Sequence, residues 1–236
     1  MKNFKTFAVA ALLAVSATAS AQFTNSSSSS SSSSANTGDW NTVWFEFSPN
    51  KFKVDAKDAD DHSFTGLSLG YSHAFGLSQK LPLFLEAGLG LQYSFYSEDY
   101  TEYTSGDDKL KFNMFSAKVP VNLIYKFDLP NSNISLMPFL GAKLRFNFSA
   151  KQKLEIAEDP YEEDRGGKSY ELNLFDKEDM GSDKATWKRF QIGWQIGLKA
   201  RFADKFLVGV SYSNDFSEIA KKIKVGGFNI AIGYTF

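Results

Sequence analysis

From residue 40 to the C-terminus, apolar and polar residues alternate one by one in successive segments of the chain. In the last segment, every second position carries a large apolar side chain: Phe228, Ile230, Ile232, Tyr234 and Phe236. The positions between them are small or polar. Successive residues of a β-strand point to opposite faces, whereas a helix repeats about every 3.6 residues. The pattern therefore predicts β-strands that each have one apolar face.

Eight segments share this alternation: 43–47, 65–75, 83–95, 115–127, 134–148, 189–202, 206–213 and 228–236. In the six clearest segments, no position on the apolar face carries a charge or an amide. Runs of alternating residues separated by turns are typical of antiparallel sheets. We therefore expect an all-β domain with eight strands.

The second face of these strands is unusual because it is rich in glycine and also carries charged residues. Ten of the 17 glycines share it: Gly66, Gly70, Gly88, Gly90, Gly141, Gly193, Gly197, Gly209, Gly227 and Gly233. The charged residues on the same face are Glu46, Glu86, Lys118, Lys143, Arg145, Arg189, Lys199 and Arg201. A water-facing surface has no reason to lack side chains, whereas the narrow interior of an eight-stranded barrel has room for few. The pattern predicts a transmembrane β-barrel with its apolar face outward and these eight charges clustered in the lumen.

The connections between the segments alternate in length, which agrees with an up-and-down barrel. Three are short: 76–81, 128–133 and 203–205. Four are more polar and mostly longer: 52–62, 97–109, 149–186 and 217–223. Membrane barrels of this kind have short periplasmic turns and long extracellular loops. We expect both termini on the periplasmic side.

The N-terminal residues are typical of an exported protein. Lys2 and Lys5 precede an apolar stretch at 7–15, and small residues at 19–21 form a cleavage site. Residues 1–21 are therefore interpreted as a signal peptide, 22–39 as a Ser-rich flexible linker, and 40–236 as the barrel. The chain has no Cys, which excludes a disulfide and a lipid anchor at the cleavage site.

Composition excludes several classes of protein. A mean hydropathy of -0.28 is too polar for a bundle of membrane helices, and 43% hydrophobic residues are too many for a disordered chain. A formal net charge of -1 gives no general field for nucleic acid.

The signal peptide, the eight alternating segments, the strand at 118–127 and the terminal sequence Gly233-Tyr234-Thr235-Phe236 carry a resemblance. The chain resembles the outer-membrane β-barrel domain family of small bacterial barrels, which are similar in plan to the OmpA transmembrane domain and OmpX. The resemblance implies a place in the bacterial outer membrane. It also implies that Tyr234 and Phe236 form a C-terminal signal read by the barrel assembly machinery.

Candidate chemistry is sparse. His62 lies beside Asp60, Asp61 and Ser63 in the first long connection, and an acid, a base and a hydroxyl can activate a nucleophile. Neighbouring residues on a strand point to opposite faces, however, so His62 and Ser63 do not form a dyad by adjacency alone. We expect no enzyme activity, no catalytic residue, no metal site and no cofactor. The acidic loop 149–186 lacks the spacing of a calcium loop, and its binding of divalent cations stays an alternative.

The function expected is a structural or surface-interaction role through the extracellular loops. A general pore is not expected, because eight strands enclose a lumen just wide enough for side chains to fill. One alternative is an outer-membrane enzyme that acts on lipid or peptide at the outer rim. The other is a secreted lipocalin-like barrel whose apolar face lines a ligand cavity. The expected partners are outer-membrane lipids, the barrel assembly machinery during insertion and an unidentified extracellular or periplasmic partner, with no nucleic acid.

Overall fold

The computed structural model describes residues 38–55, 61–78, 80–100, 108–156, 168–181 and 186–236. The predicted signal peptide and all but Gly38 and Asp39 of the predicted linker lie outside the described residues.

These described residues form ten strands: β1 (Trp40–Val54), β2 (His62–Gly76), β3 (Leu83–Tyr100), β4 (Asp108–Tyr125), β5 (Phe127–Asp128), β6 (Ile134–Glu155), β7 (Ser169–Asn173), β8 (Phe190–Phe202), β9 (Phe206–Asp215) and β10 (Ile223–Thr235). Eight of them form a closed antiparallel ring in the order β1, β2, β3, β4, β6, β8, β9, β10, and β10 pairs with β1. The short strands β5 and β7 each pair with β6. The prediction of an all-β, eight-stranded, up-and-down barrel is confirmed.

In the part of the chain that the structure describes, no helix is long and apolar enough to cross a membrane.

The two faces of the barrel wall differ as predicted. Outward side chains such as Leu69, Val210 and Phe228 are 61%, 56% and 64% exposed. Inward side chains such as Gln92 and Asn122 are buried. A secreted barrel with its apolar face inside is contradicted by this arrangement, since apolar residues coat the outside.

The two ends of the barrel are also different. The terminal end holds Trp40, Phe236 and the connections from β2 to β3, from β4 to β6 and from β8 to β9. The loop end holds the connections after β1, β3, β6 and β9, which are the ones predicted to be extracellular.

At the loop end the strands run further than predicted, because the polarity of the two faces reverses there. Phe52 and Phe112 point inward and are buried, whereas Lys51 and Lys111 lie on the outward face. Within the connections predicted at 52–62 and 97–109, residues 52–54, 62, 97–100 and 108–109 are therefore strand, as are 149–155 within the loop predicted at 149–186. Beyond the lipid, the outer face meets water and the inner face forms a small core.

Two apolar clusters close the lumen. The loop-end cluster consists of Phe52, Phe64, Phe112, Met114, Ala150, Leu174, Phe175, Ile219 and Val225. The terminal-end cluster consists of Trp40, Ala74, Phe84, Ile124, Met137, Phe139 and Leu207. Leu174, Phe175 and Ile219 come from the connections, which thus fold inward over the barrel mouth.

A β-bulge lies between β4 and β6. Phe115 faces Ser149 whereas Ser116 faces Asn147, so Phe148 is the extra residue. The bulge changes which positions of β6 point inward, from odd numbers such as Asn147 to even numbers such as Ala150. It therefore brings Ala150 into the loop-end cluster.

Glycines on the inner face make room for one large side chain. Trp44 faces Gly70, and Gly70 faces Gly90 on the next strand. The indole of Trp44 lies across both glycines, where a Cβ atom at either position would overlap the ring. Glycine is needed at both positions because the Trp44 side chain occupies the space that any other side chain would require.

Candidate functional site

Between the two apolar clusters lies a layer of polar and charged side chains, here called the lumen belt: Glu46, Glu86, Lys118, Asn122, Lys143, Arg145, Gln195, Lys199 and Asp215. They come from every strand of the ring except β2 and β10. The belt therefore ties distant parts of the wall together across the lumen.

The first group in the belt is centred on Glu46. Lys118 forms an ion pair with its carboxylate, and the Ser48 hydroxyl donates a hydrogen bond to Oε1 at 2.8 Å. The Lys118 ammonium also lies 5.4 Å from the ring centroid of Trp44. The Trp44 indole that covers the two glycines thus also contacts the belt.

The second group is centred on Glu86. Lys199 Nζ and Asn122 Nδ2 donate to its Oε1 at 2.6 and 2.8 Å. Gln195 Nε2 in turn donates to Asn122 Oδ1 at 2.6 Å. Asn122 lies directly opposite Glu86 on the neighbouring strand β4, whereas Lys199 and Gln195 reach this group across the lumen from β8.

The third group is centred on Asp215, which the sequence analysis missed. Arg145 Nη2 donates to Asp215 Oδ2 at 2.6 Å, and Lys143 Nζ lies 3.5 Å from Oδ1. Lys143 also donates to the Ser213 hydroxyl at 2.9 Å. Asp215 is the last residue of β9, and like Ser213 it is an odd-numbered residue that points inward. Extending the alternation of this strand by two residues would have predicted it.

Two of the eight predicted lumen charges lie elsewhere. Arg201 is buried near the terminal end, with its Cζ 4.7 Å from the Trp40 ring centroid and Nη2 3.0 Å from Asp204 Oδ1. Arg189 is exposed at the loop end, where it precedes β8 and donates to the Phe148 carbonyl at 2.6 Å. The placement of Arg189 in the lumen is thus wrong. The alternation was extended to Arg189, but β8 begins only at Phe190.

A cavity remains in the lumen belt. It is lined by groups that include Glu46, Glu86 and Lys199, and its volume is about 50 Å³. This is room for roughly three or four waters. Each of the three belt carboxylates is paired with a cation, so the belt cross-links the wall.

The candidate nucleophile system at the loop end is not assembled among its described members. His62 is exposed, and its Nδ1 lies 3.9 Å from Glu98 Oε1. Asp61 Oδ1 accepts a hydrogen bond from the Val54 amide at 3.3 Å. Asp60 lies outside the described residues. Within the described ranges, no three His, Asp or Glu side chains are grouped in a way that could hold a metal ion.

The predicted assembly signal lies on the outer surface at the terminal end. Tyr234 and Phe236 are exposed, with ring centroids 6.5 Å apart. The backbone of Phe236 exchanges two hydrogen bonds of 2.9 Å with Asn41, which extends the seam between β10 and β1. Recognition by the assembly machinery stays a prediction.

At the loop end, β4, β6 and β7 extend as a sheet that is held by ion pairs on its outward face. Lys111 and Lys153 contact the two oxygens of Glu155 at 2.6 and 2.9 Å, and Lys151 contacts Glu171 at 2.6 Å. The hydrogen bonds from Lys111 and Lys153 lower the pKa of Glu155 from 4.5 to about 2. The hydrogen bond from Lys151 likewise lowers the pKa of Glu171. The described part of the acidic loop thus uses two of its carboxylates to fasten this sheet, while 157–167 and 182–185 lie outside the described residues.

Strand β7 forms an edge of this sheet. It pairs only with β6 among the described strands, and Tyr170 and Leu172 are 55% and 40% exposed. Leu174 N bonds to Ala150 O on the β6 side, so by alternation the amides of Ser169 and Glu171 point to the other side. Among the described residues, the edge therefore presents the amides of Ser169 and Glu171 beside two exposed apolar side chains, whereas the Asn173 amide donates to Asp179 Oδ2 at 2.9 Å.

Comparison with known proteins gives a family and several structural relatives. Residues 7–236 match the model of the outer membrane protein beta-barrel domain family. No curated protein sequence matches the chain. Ail, the attachment invasion locus protein of Yersinia pestis, solved with the heparin analogue sucrose octasulfate, is 15% identical with a TM-score of 0.44, over 84% of this chain and 99% of that chain. Neisserial surface protein A is 16% identical with a TM-score of 0.40, over 83% and 97%. The outer membrane enzyme PagL is 12% identical with a TM-score of 0.43, over 81% and 97%.

Proposed function

Since the chain belongs to the outer membrane protein beta-barrel domain family and is a protein of the bacterial outer membrane, we propose that it is a non-enzymatic surface-interaction protein. In this proposal the loop end faces the exterior, both termini lie in the periplasm, and a signal peptide is removed near Ala21. The barrel wall and the lumen belt form a rigid support, and the sheet of β4, β6 and β7 at the loop end is the contact surface.

The observation that carries the proposal is the second edge of β7, which no strand of the described residues pairs with. Unpaired amide and carbonyl groups on a sheet edge can pair with an extended segment of another chain. Tyr170 and Leu172 lie beside that edge and offer apolar contact to alternate side chains of the added strand. The partner fitted by this surface is therefore an extended protein segment with apolar residues at alternate positions.

The closed lumen favours this function over a pore. An apolar cluster fills each end, and the belt between them is cross-linked by ion pairs. Within the described residues, His62 faces the Glu98 carboxylate at 3.9 Å but bonds to no hydroxyl that could act as a nucleophile, which favours a binding role over hydrolysis.

A single introduced cysteine tests the proposal, because the natural chain has none. In intact cells, Ser169→Cys should react with a membrane-impermeant thiol reagent and crosslink to the partner. Ser132→Cys, in the terminal-end turn, is the matched control and should react only after the cells are opened. Reaction of Ser132→Cys in intact cells would contradict the orientation.

A second pair of variants separates strand addition from side-chain contact. Glu171→Pro removes an amide from the second edge of β7 and should abolish the crosslink from Ser169→Cys. Glu171→Ala removes the same side chain but keeps the amide, so it should leave the crosslink in place. Equal effects of the two substitutions would contradict pairing through the edge.

A further inference from the structure

Two pairs of lysines face each other directly across neighbouring strands on the outward surface of the loop end. Lys53 on β1 faces Lys224 on β10, and Lys111 on β4 faces Lys153 on β6. Like charges directly opposite each other destabilise a sheet. Each pair therefore needs a counter-charge.

The second pair has its counter-charge within the protein. The Glu155 carboxylate lies between the two lysines, 2.6 Å from Lys111 Nζ and 2.9 Å from Lys153 Nζ. This pair is neutralised in part without any external group.

The first pair has no such carboxylate among the described residues. Among the described residues, Lys53 Nζ forms hydrogen bonds with neutral oxygens alone, the Tyr212 hydroxyl at 2.6 Å and Asn214 Oδ1 at 3.2 Å. Lys51 lies two positions before Lys53 on the same face and adds a third positive charge. The nearby acids Asp55, Asp61 and Glu218 form no ion pair with these lysines in the described part of the chain.

The position of these lysines points to the membrane surface. The Lys53 side chain crosses β10 over Gly226, where a Cβ atom added to the glycine would lie 3.0 Å from Lys53 Nζ. Lys53 Nζ lies 5.2 Å from the Tyr212 ring centroid. The Tyr212 and Phe228 rings are 5.2 Å apart on the outward face, and Phe228 is exposed. Aromatic side chains of this kind mark the interface between lipid chains and headgroups, and lysines beside them reach the headgroup level.

We propose that Lys51, Lys53 and Lys224 form a binding site for the phosphate of an anionic membrane lipid. The phosphate supplies the negative charge that Glu155 supplies to the other lysine pair, and the acyl chains of the lipid lie along the apolar wall below. This inference goes beyond the proposed function and does not depend on it.

The binding experiment uses the full chain in detergent and native mass spectrometry with added phosphatidic acid. Lys51→Gln/Lys224→Gln keeps Lys53 and its contacts with Tyr212, and it should weaken binding about fivefold for each lysine removed. Lys111→Gln/Lys153→Gln removes the same number of charges from the neutralised pair and should bind as the natural protein does. Equal affinities for the two double variants would overturn the proposal.

Inorganic phosphate distinguishes the two sources of the anion. A lipid site should keep its phosphatidic acid in a large excess of inorganic phosphate, because the acyl chains also contact the barrel wall. Displacement of the lipid by equimolar inorganic phosphate would overturn the assignment to a lipid.

A stability measurement in vesicles tests the electrostatic reason. Lys224→Gln removes a like-charge contact, so in phosphatidylcholine vesicles it should raise the urea concentration at which the barrel unfolds. In vesicles that also contain phosphatidic acid it removes a ligand of the phosphate and should lower that concentration. The same direction of change in both vesicles would overturn the proposal.

Discussion

Arg145 on β6 and Asp215 on β9 form a buried ion pair across the lumen, with Nη2 of the guanidinium 2.6 Å from Oδ2 of the carboxylate. Their side chains are only 2% and 1% exposed, and Asp215 also faces the Lys143 ammonium. If one member of a buried ion pair is removed, the remaining charge is left without a counter-ion and is poorly solvated. The stability of the barrel should therefore depend on this one carboxylate.

Asp215→Asn should destabilise the barrel strongly. The substitution keeps the shape of the side chain but removes the carboxylate that pairs with Arg145 and faces Lys143, and breaking a buried pair costs about 3 to 5 kcal/mol. The free energy of unfolding in vesicles, measured by urea titration, checks this. Glu171→Gln breaks the exposed pair with Lys151 and serves as the control, with little change expected. A small loss for Asp215→Asn would contradict the role of the pair.

Gly70→Ala should also destabilise the barrel, because its Cβ atom would overlap the Trp44 indole. Overpacking of this kind costs roughly 1 to 3 kcal/mol. Gly209→Ala is the matched control on the same inner face, since its Cβ would lie 3.1 Å from Cγ of the flexible Lys199. Urea unfolding of both variants should rank Gly70→Ala as the more damaging.

A second substitution tests whether the indole is the cause. In the double variant Gly70→Ala/Trp44→Leu the overlap is removed, so the two losses should not add. Strict additivity would show that the cost at Gly70 has another origin.

The turn between β8 and β9 leaves room for stabilisation. Ala203 and Asp204 have φ values of 48° and 55°, and Lys205 N bonds to Phe202 O at 3.0 Å. An alanine in the left-handed region is strained, whereas asparagine tolerates it in a two-residue hairpin turn. Ala203→Asn should raise the free energy of unfolding by about 0.5 to 1 kcal/mol. Ala203→Val should lower it, since a β-branched residue is less tolerant of positive φ.

The sheet at the loop end should keep its ion pairs in acid. Glu155 has a folded-state pKa of about 2 against an ordinary value of 4.5, because Lys111 and Lys153 donate hydrogen bonds to it. A lowered pKa means that the stabilisation is complete above pH 4.5 and is lost as the pH falls through about 2. A carbon-13 titration of the Glu155 carboxyl should show a midpoint near 2, and Lys111→Gln should move it towards 4.5. A midpoint near 4.5 in the natural protein would contradict the contact.

The barrel should not conduct ions steadily. The lumen is filled at one end by the loop-end cluster and at the other by the terminal-end cluster. Single-channel recordings in planar bilayers should show no lasting open state for the natural chain. Conductance comparable with that of a larger barrel run in parallel would contradict a sealed lumen.

The sequence predicted the membrane-level part of the strands well, because the apolar face there is uniform. It failed at the loop end, where alternation continues but with opposite polarity. In the segment 109–114, Lys109, Lys111 and Asn113 alternate with Leu110, Phe112 and Met114, yet the apolar set is now inward. With apolar residues expected to face lipid everywhere, the connection was predicted at 97–109 and the strand only from 115, whereas β4 begins at Asp108.

The lumen belt was predicted in part for a similar reason. Glu46, Glu86, Lys118, Lys143, Arg145 and Lys199 follow from strand alternation, and the structure places them in the belt. Which cation pairs with which carboxylate depends on the stagger between strands that are not neighbours in sequence, and alternation carries no information on that. The bulge at Phe148 is equally invisible to a period of two.

The reversal of polarity along each strand also determines how far the barrel enters the bilayer. If it sank deeper, Lys51 and Lys109 would move into hydrocarbon, while Phe52 and Phe112 would gain nothing because they already lie inside. If it rose, exposed apolar residues such as Leu69 would enter water. The sequence itself therefore limits the depth of insertion. The barrel's position along the membrane normal is set by the level at which the apolar residues pass from the outward to the inward face of the strands.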